Sequence, residues 1–191
     1  YVKRKEDLLF DHEKPLHTDF DHIIIDNIRR LPLDFLSDQF SDNPEALAIV
    51  EKLRSSDRYT KRALYEKLKE LLTDNTKLFI RVQNRIKDAI ELARKRVRWN
   101  YKTAIPSYFP KRDSMSLMLP LCLTDEETAD VALVVENTPS GNYQGQTILT
   151  LTQAYVDARL LCRINSDWLT SALPLSNFEN GGLMNPSDLQ G

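Results

Sequence analysis

Between Leu92 and Arg112 the chain carries no acid. It carries instead Arg94, Lys95, Arg96, Arg98, Lys102, Lys111 and Arg112, interleaved with Trp99, Tyr101, Tyr108 and Phe109. Cations neutralise phosphates and release counterions, and ring faces stack on bases at roughly 1–3 kcal/mol each, so this is the composition of a track for single-stranded nucleic acid. A plainer reading uses the same residues. Cations near a helix C-terminus complement the macrodipole, arginines pair with acids elsewhere in the chain, and Trp99 and Tyr101 fill a core.

A second constellation lies near the start: Asp11, His12, His17, Asp19, Asp21, His22 and Asp26. Carboxylates and imidazoles this dense suit metal binding or acid–base work. The candidate catalytic set is Asp19, Asp21, His22 and Asp26, which beside a divalent metal would hydrolyse nucleotides or phosphodiesters. His17-x-Asp19-x-Asp21-His22 departs from the metallo-β-lactamase pattern at its third position, Asp21, and the chain's three histidines all fall here. That fold is therefore excluded. Solvated acids and helix-capping aspartates are the plainer explanation of such a cluster.

Other chemistries are weaker. Only five glycines occur, Gly141, Gly145, Gly181, Gly182 and Gly191, too scattered for a dinucleotide fingerprint or a P-loop. No Gly-x-Ser-x-Gly elbow exists. Cys122 and Cys162 sit in apolar runs and read as small buried hydrophobes. Arg159 and Arg163 form an anion clamp with Tyr155 on one reading, and surface pairs with Asp157 and Asp167 on the favoured one. The nucleic-acid reading needs no cofactor and no metal; only the hydrolytic alternative takes a divalent ion.

The elements that must position these groups read as α+β. N-terminal helices, one of them long and amphipathic, are followed by a small antiparallel β-meander and a further helix. Ile23-Ile24-Ile25 fits a short strand or the start of a buried helix. Ser41-Asp-Asn-Pro-Glu45 starts a helix over about 44–54, and a second runs from Arg58 to Leu72. The clearest element is the third: Phe79, Val82, Ile86, Ala89, Ile90, Ala93 and Val97 recur at three- and four-residue steps. It ends near Trp99. Beyond Pro110 the period falls to two, giving strands over 116–123, 131–135 and 147–151, with Pro120 at an edge or bulge. The 137–146 loop is a hairpin tip by default and a lid over a ligand otherwise. Residues 153–163 return to a helix. A single domain over 1–173 is expected, helical to about 100 and sheet over about 113–165, with a loosely ordered tail over 174–191.

Charge is laid out in blocks. Overall the balance is −2, but residues 1–50 sum to −5, residues 51–112 to +11 and residues 113–191 to −8. Either the blocks neutralise one another on folding, or the middle one stays open to phosphate. A third possibility is assembly of copies, acidic ends of one chain against the basic middle of another. No run approaches the ~18 apolar residues of a membrane span, and two cysteines without a disulfide framework fit a cytoplasmic protein. The chain opens Tyr1-Val-Lys-Arg-Lys-Glu6 without a methionine or a signal-peptide core, so a piece of something longer is expected.

Several stretches in order are familiar: His17-Thr-Asp-Phe-Asp-His22, Ile25-Asp-Asn-Ile-Arg-Arg-Leu-Pro32, Thr103-Ala-Ile-Pro-Ser-Tyr-Phe-Pro110 and Leu117-Met-Leu-Pro-Leu-Cys-Leu123. Gln146-Thr-Ile-Leu-Thr-Leu-Thr-Gln-Ala-Tyr155, Asp157-Ala-Arg-Leu-Leu161 and Ser166-Asp-Trp-Leu169 complete the set. From about residue 8 to 169 the chain resembles the bacterial family called domain of unknown function 3825. Its members look like C-terminal modules, sometimes preceded by a cold-shock or LOTUS-type RNA-binding domain. The resemblance implies RNA metabolism, stress response or defence by association, and carries over no catalytic residue.

Overall fold

A computed structural model describes residues 7–109, 113–161 and 166–170. The sequence-derived tail over 174–191, Cys162, Arg163, Lys111 and Arg112 lie outside the described residues. Among the described residues, six α-helices and five strands are arranged as an α+β fold: β1 (Leu16–Thr18), α1 (Leu33–Gln39), α2 (Pro44–Ser55), α3 (Arg58–Asp74), α4 (Thr76–Trp99), β2 (Ile105–Phe109), β3 (Ser114–Leu121), β4 (Val131–Asn137), β5 (Tyr143–Thr150), α5 (Leu151–Arg159) and α6 (Asp167–Thr170). The Ile23-Ile24-Ile25 run is neither strand nor ordinary α-helix but one π-helical turn over His22–Asp26.

Local chemistry fixes the helix starts. Asn43 Oδ1 accepts from the Ala46 amide at 3.0 Å, with Pro44 opening α2. Asp57 caps α3 through the Tyr59 and Thr60 amides, and Asn75 caps α4 through Leu78 at 3.1 Å. Thr150 and Gln153 form a capping box that turns the chain from β5 directly into α5. Along α4 the stripe Val82, Ile86, Ala89, Ile90, Ala93 and Val97 is buried, joined by Leu78; Phe79 is only partly covered. A single apolar face of this length holds α4 against β3 and the other helices.

The sheet order is β1-β5-β4-β3-β2. β2 to β5 form an antiparallel meander, and the short β1 adds a parallel edge, Leu16 opposite Tyr143. The meander therefore has one strand more than the periodicity implied, and β1 was not legible as a strand. β2 begins opposite Met118, so Pro120 lies beyond it and has no neighbour on that side, as a strand proline requires. Where β1 crosses β5 the backbones are close: a Cβ on Gly145 would stand 3.0 Å from Thr18 Oγ1.

Both sheet faces are used. Leu117, Leu119, Leu133 and Val135 meet the helical layer of α1–α4 in the main core, where Phe10 stacks on Tyr143 with ring centroids 4.5 Å apart. Ile105, Met118 and Ala132 face the other way, under Ala154 and Ala158 of α5 and Leu169 of α6. α5 is short, so it covers only part of that second face. Among the described residues no helix is long and apolar enough to cross a membrane.

Candidate functional site

The basic segment is divided by the fold. Arg94 and Arg96 turn inward. Arg94 Nη2 donates to the His12 carbonyl at 2.8 Å and Nη1 to Glu91 at 3.0 Å. Arg96 Nη1 donates to the Cys122 sulfur at 3.0 Å, and Nη2 to the Glu126 carbonyl. These two arginines strap α4 to the N-terminal segment and to the loop after β3. Burial pushes the Cys122 thiol up, with Arg96 opposing; the thiol is an inert packing group.

Lys95, Arg98 and Trp99 point outward instead. Three- and four-residue spacing puts them on one face of α4, and the turn at Tyr101–Thr103 adds Tyr101 and Lys102 beside them. Asn100 ends the helix by leaving helical geometry, and its side chain accepts from the Lys102 amide at 3.1 Å. Trp99 is 90% exposed and Tyr101 61%. Neither fills a core. Trp99 lines a hollow of about 300 Å³ with Asn100, Thr103, Pro120 and Trp168. The Trp168 indole N–H donates to the Thr103 carbonyl at 3.0 Å, and the Ser166 hydroxyl to the Lys102 carbonyl at 2.6 Å. Lys95, Arg98 and Lys102 have no ion pair among the described residues. Tyr108 lies at the far end of β2, its phenol donating to Asp113 at 2.9 Å.

The charge blocks therefore meet in part. Arg54 pairs with Asp34 at 2.7 Å, and Arg81 with Asp42. The Arg81 guanidinium beside Asp42 holds that carboxyl below its usual range. Asp125, in the acidic loop beside Arg96, is held down chiefly by the amides of Thr128 and Glu127. Lys95, Arg98 and Lys102, around the end of α4, have no such acidic partner among the described residues.

The Asp/His cluster resolves into local structure. Asp19 Oδ1 accepts from the His22 amide at 3.0 Å, capping the π-helical turn. His22 Nδ1 lies 2.9 Å from Asp26 Oδ2, and Nε2 lies 3.1 Å from the Asn27 side-chain nitrogen. An amide NH₂ only donates, so Nε2 accepts and Nδ1 carries the proton toward Asp26. Both ring nitrogens are thereby occupied. Asp21 is exposed. Among the described residues no group of three or more His, Cys, Asp or Glu side chains is placed to hold a metal.

The part of the second sheet face left open by α5 forms a cleft of about 390 Å³. Its floor includes Ser107 and Ser116, both 4% exposed, with their hydroxyl oxygens 2.8 Å apart. Arg30 and Asp157 stand on its walls, with Glu136 and Gln146. Gln146 is the extra residue of a β-bulge: Val134 pairs with Thr147 and Val135 with Gly145, leaving Gln146 between them. Arg30 Nη1 donates to Thr147 Oγ1 at 3.0 Å and to the Ile148 carbonyl at 2.6 Å. Burial pushes the Asp157 carboxyl up, and Asp157 makes no ion pair with Arg159, whose guanidinium lies over the Tyr155 ring at 5.6 Å. Of the described candidate site residues only His22 and Tyr108 reach this cleft. Arg30, Glu136, Gln146 and Asp157 come from four separate elements, so no local spacing could have grouped them. A lone buried-side carboxylate on an otherwise apolar helix face, Asp157, was the one available signal.

No curated protein and no solved structure matches this chain. The family model that does match spans residues 1–168, which takes in the α4 end, the cleft and all the stretches carrying the resemblance but Leu169, the last residue of the final one. The chain belongs to the family described as Domain of unknown function (DUF3825).

Proposed function

We propose that this domain binds single-stranded nucleic acid, RNA in the first instance, through the end of α4 and the turn that follows. One observation carries the reading: Trp99 stands 90% exposed beside three cations, Lys95, Arg98 and Lys102, that no acid neutralises among the described residues. A tryptophan on open surface costs hydrophobic free energy that packing elsewhere does not offset, and such residues mark contact surfaces. Its ring and that of Tyr101 offer faces for successive bases, while the cations meet the intervening phosphates. The hollow shared with Trp168 gives a base an apolar floor beside the Trp99 ring.

The contact set is thus Lys95, Arg98, Trp99, Tyr101 and Lys102. Arg94 and Arg96 support it by holding α4 in place. The setting is a bacterial cytoplasmic protein working in RNA metabolism or stress response. Anisotropy titration of a short labelled single-stranded RNA, repeated across salt concentrations, tests the reading. Assembly of copies through acidic and basic surfaces predicts instead a salt-sensitive oligomer by light scattering, with RNA affinity unmoved by Trp99→Ala.

A further inference from the structure

We propose that the cleft on the second sheet face is a site for a guanine base. This site stands on different residues from the α4 surface and does not depend on it. Its walls carry two carboxylates, Asp157 and Glu136, neither with a hydrogen bond or ion pair among the described residues. Carboxylates only accept, so each needs a donor from whatever fills the cleft. The guanidinium of Arg30 spends Nη1 on Thr147 and Ile148 and leaves Nε and Nη2 without a hydrogen bond among the described residues. Both His22 ring nitrogens are engaged, by Asp26 and Asn27. Among the described lining residues, two carboxylates against one guanidinium disfavour a phosphate, and Arg30 disfavours a bare ammonium.

What fits is a planar neutral group with a paired donor edge and an acceptor edge. Guanine presents N1–H and N2–H₂ side by side, the geometry that one carboxylate accepts in bidentate fashion. Its O6 and N7 accept from a guanidinium. Adenine and cytosine place a ring acceptor next to their amino group, which would face a carboxylate lone pair. Uracil has a single N–H between two carbonyls. The cleft also supplies ring faces, Tyr108 and Phe109, at its rim, and its volume of about 390 Å³ admits a base with its sugar. The bulge that turns Gln146 toward the cleft fits a sheet bent to serve a site. The base has two sources, a free nucleotide or one residue of a strand.

Calorimetric titration of the whole chain with GMP, AMP and UMP at pH 7 tests the site. Saturable GMP binding is expected, with AMP and UMP at least about 10-fold weaker. Asp157→Asn keeps the shape and turns one acceptor into a donor, so it should weaken GMP about 10-fold or more; Glu136→Gln serves as the second variant should Asp157→Asn misfold. Saturation absent to millimolar GMP, equal affinity for the three nucleotides, or GMP affinity unmoved in both carboxylate variants would overturn the proposal. Single-stranded RNA with one guanosine, compared with the same strand lacking it, identifies the source: tighter binding of the guanosine strand assigns the strand, and equal binding of the two strands beside saturable GMP binding assigns the free nucleotide. GMP binding without RNA binding sinks the α4 reading alone. RNA binding indifferent to guanosine, with no GMP binding, sinks this one alone.

Discussion

Trp168 donates its indole N–H to the carbonyl of Thr103 at 3.0 Å, and so ties α6, near the end of the described chain, to the turn that presents Tyr101 and Lys102. Two segments 65 positions apart thereby share one surface. Replacing Trp168 with Phe keeps an aromatic ring and removes the donor. We expect a stability loss of about 1 kcal/mol, the typical net worth of a hydrogen bond plus a partly unmet carbonyl. Faster amide exchange over 101–104, measured by mass spectrometry, should accompany it.

Arginines and lysines of the basic segment should separate by experiment. Arg94→Met leaves the His12 carbonyl without its donor and should cost about 2 kcal/mol in urea unfolding. Lys95→Gln, Arg98→Gln and Lys102→Gln should each change stability by under about 0.5 kcal/mol. Each should instead lower the salt slope of RNA binding by about 0.7. A stability loss from Lys95→Gln as large as that from Arg94→Met would contradict the division.

That division was only half legible beforehand. The α4 stripe was readable because seven apolar positions on a single face admit one burial pattern, and the Ser41-Asp-Asn-Pro-Glu45 run announced α2. Which cations face solvent was not readable. Arg94 and Arg98 differ by one helical turn, and what turns Arg94 inward is a carbonyl 82 positions away. β1 escaped because three residues carry no periodicity and pair in parallel with a strand far along the chain. The cleft escaped for the same reason: Arg30, Glu136 and Asp157 meet only after the sheet is assembled.

Ser107 and Ser116 allow a double-mutant cycle on the cleft floor. Either single change to Ala leaves the partner hydroxyl buried and unpaired and should cost about 1–3 kcal/mol; the double change should cost less than the sum. The coupling is read from three unfolding curves against the parent chain. Full additivity would mean that the 2.8 Å contact contributes nothing.

Asp157 should make stability pH-dependent with a definite sign. Burial raises its carboxyl pKa in the folded state, so ionisation destabilises the fold above that pKa, and the penalty fades as pH falls through it. Glu136, Arg30 and His22 line the same cleft in both proteins. Asp157→Asn should therefore be more stable than the parent at pH 7–8, by about 0.5–1 kcal/mol after allowing for solvent screening, or roughly 2 °C. The difference should close toward pH 4. A variant less stable than the parent at pH 8 would reverse the sign.

The central claim is that an open aromatic and basic helix end holds a single strand. Affinity of a short single-stranded RNA, measured at 50 and 200 mM salt for the parent and for Trp99→Ala, addresses it most directly. Three phosphate contacts predict about 18-fold weakening across that salt range, and loss of one stacking face predicts at least about 5-fold weakening at either salt. No binding at 50 mM salt, or binding indifferent both to salt and to Trp99→Ala, would contradict it.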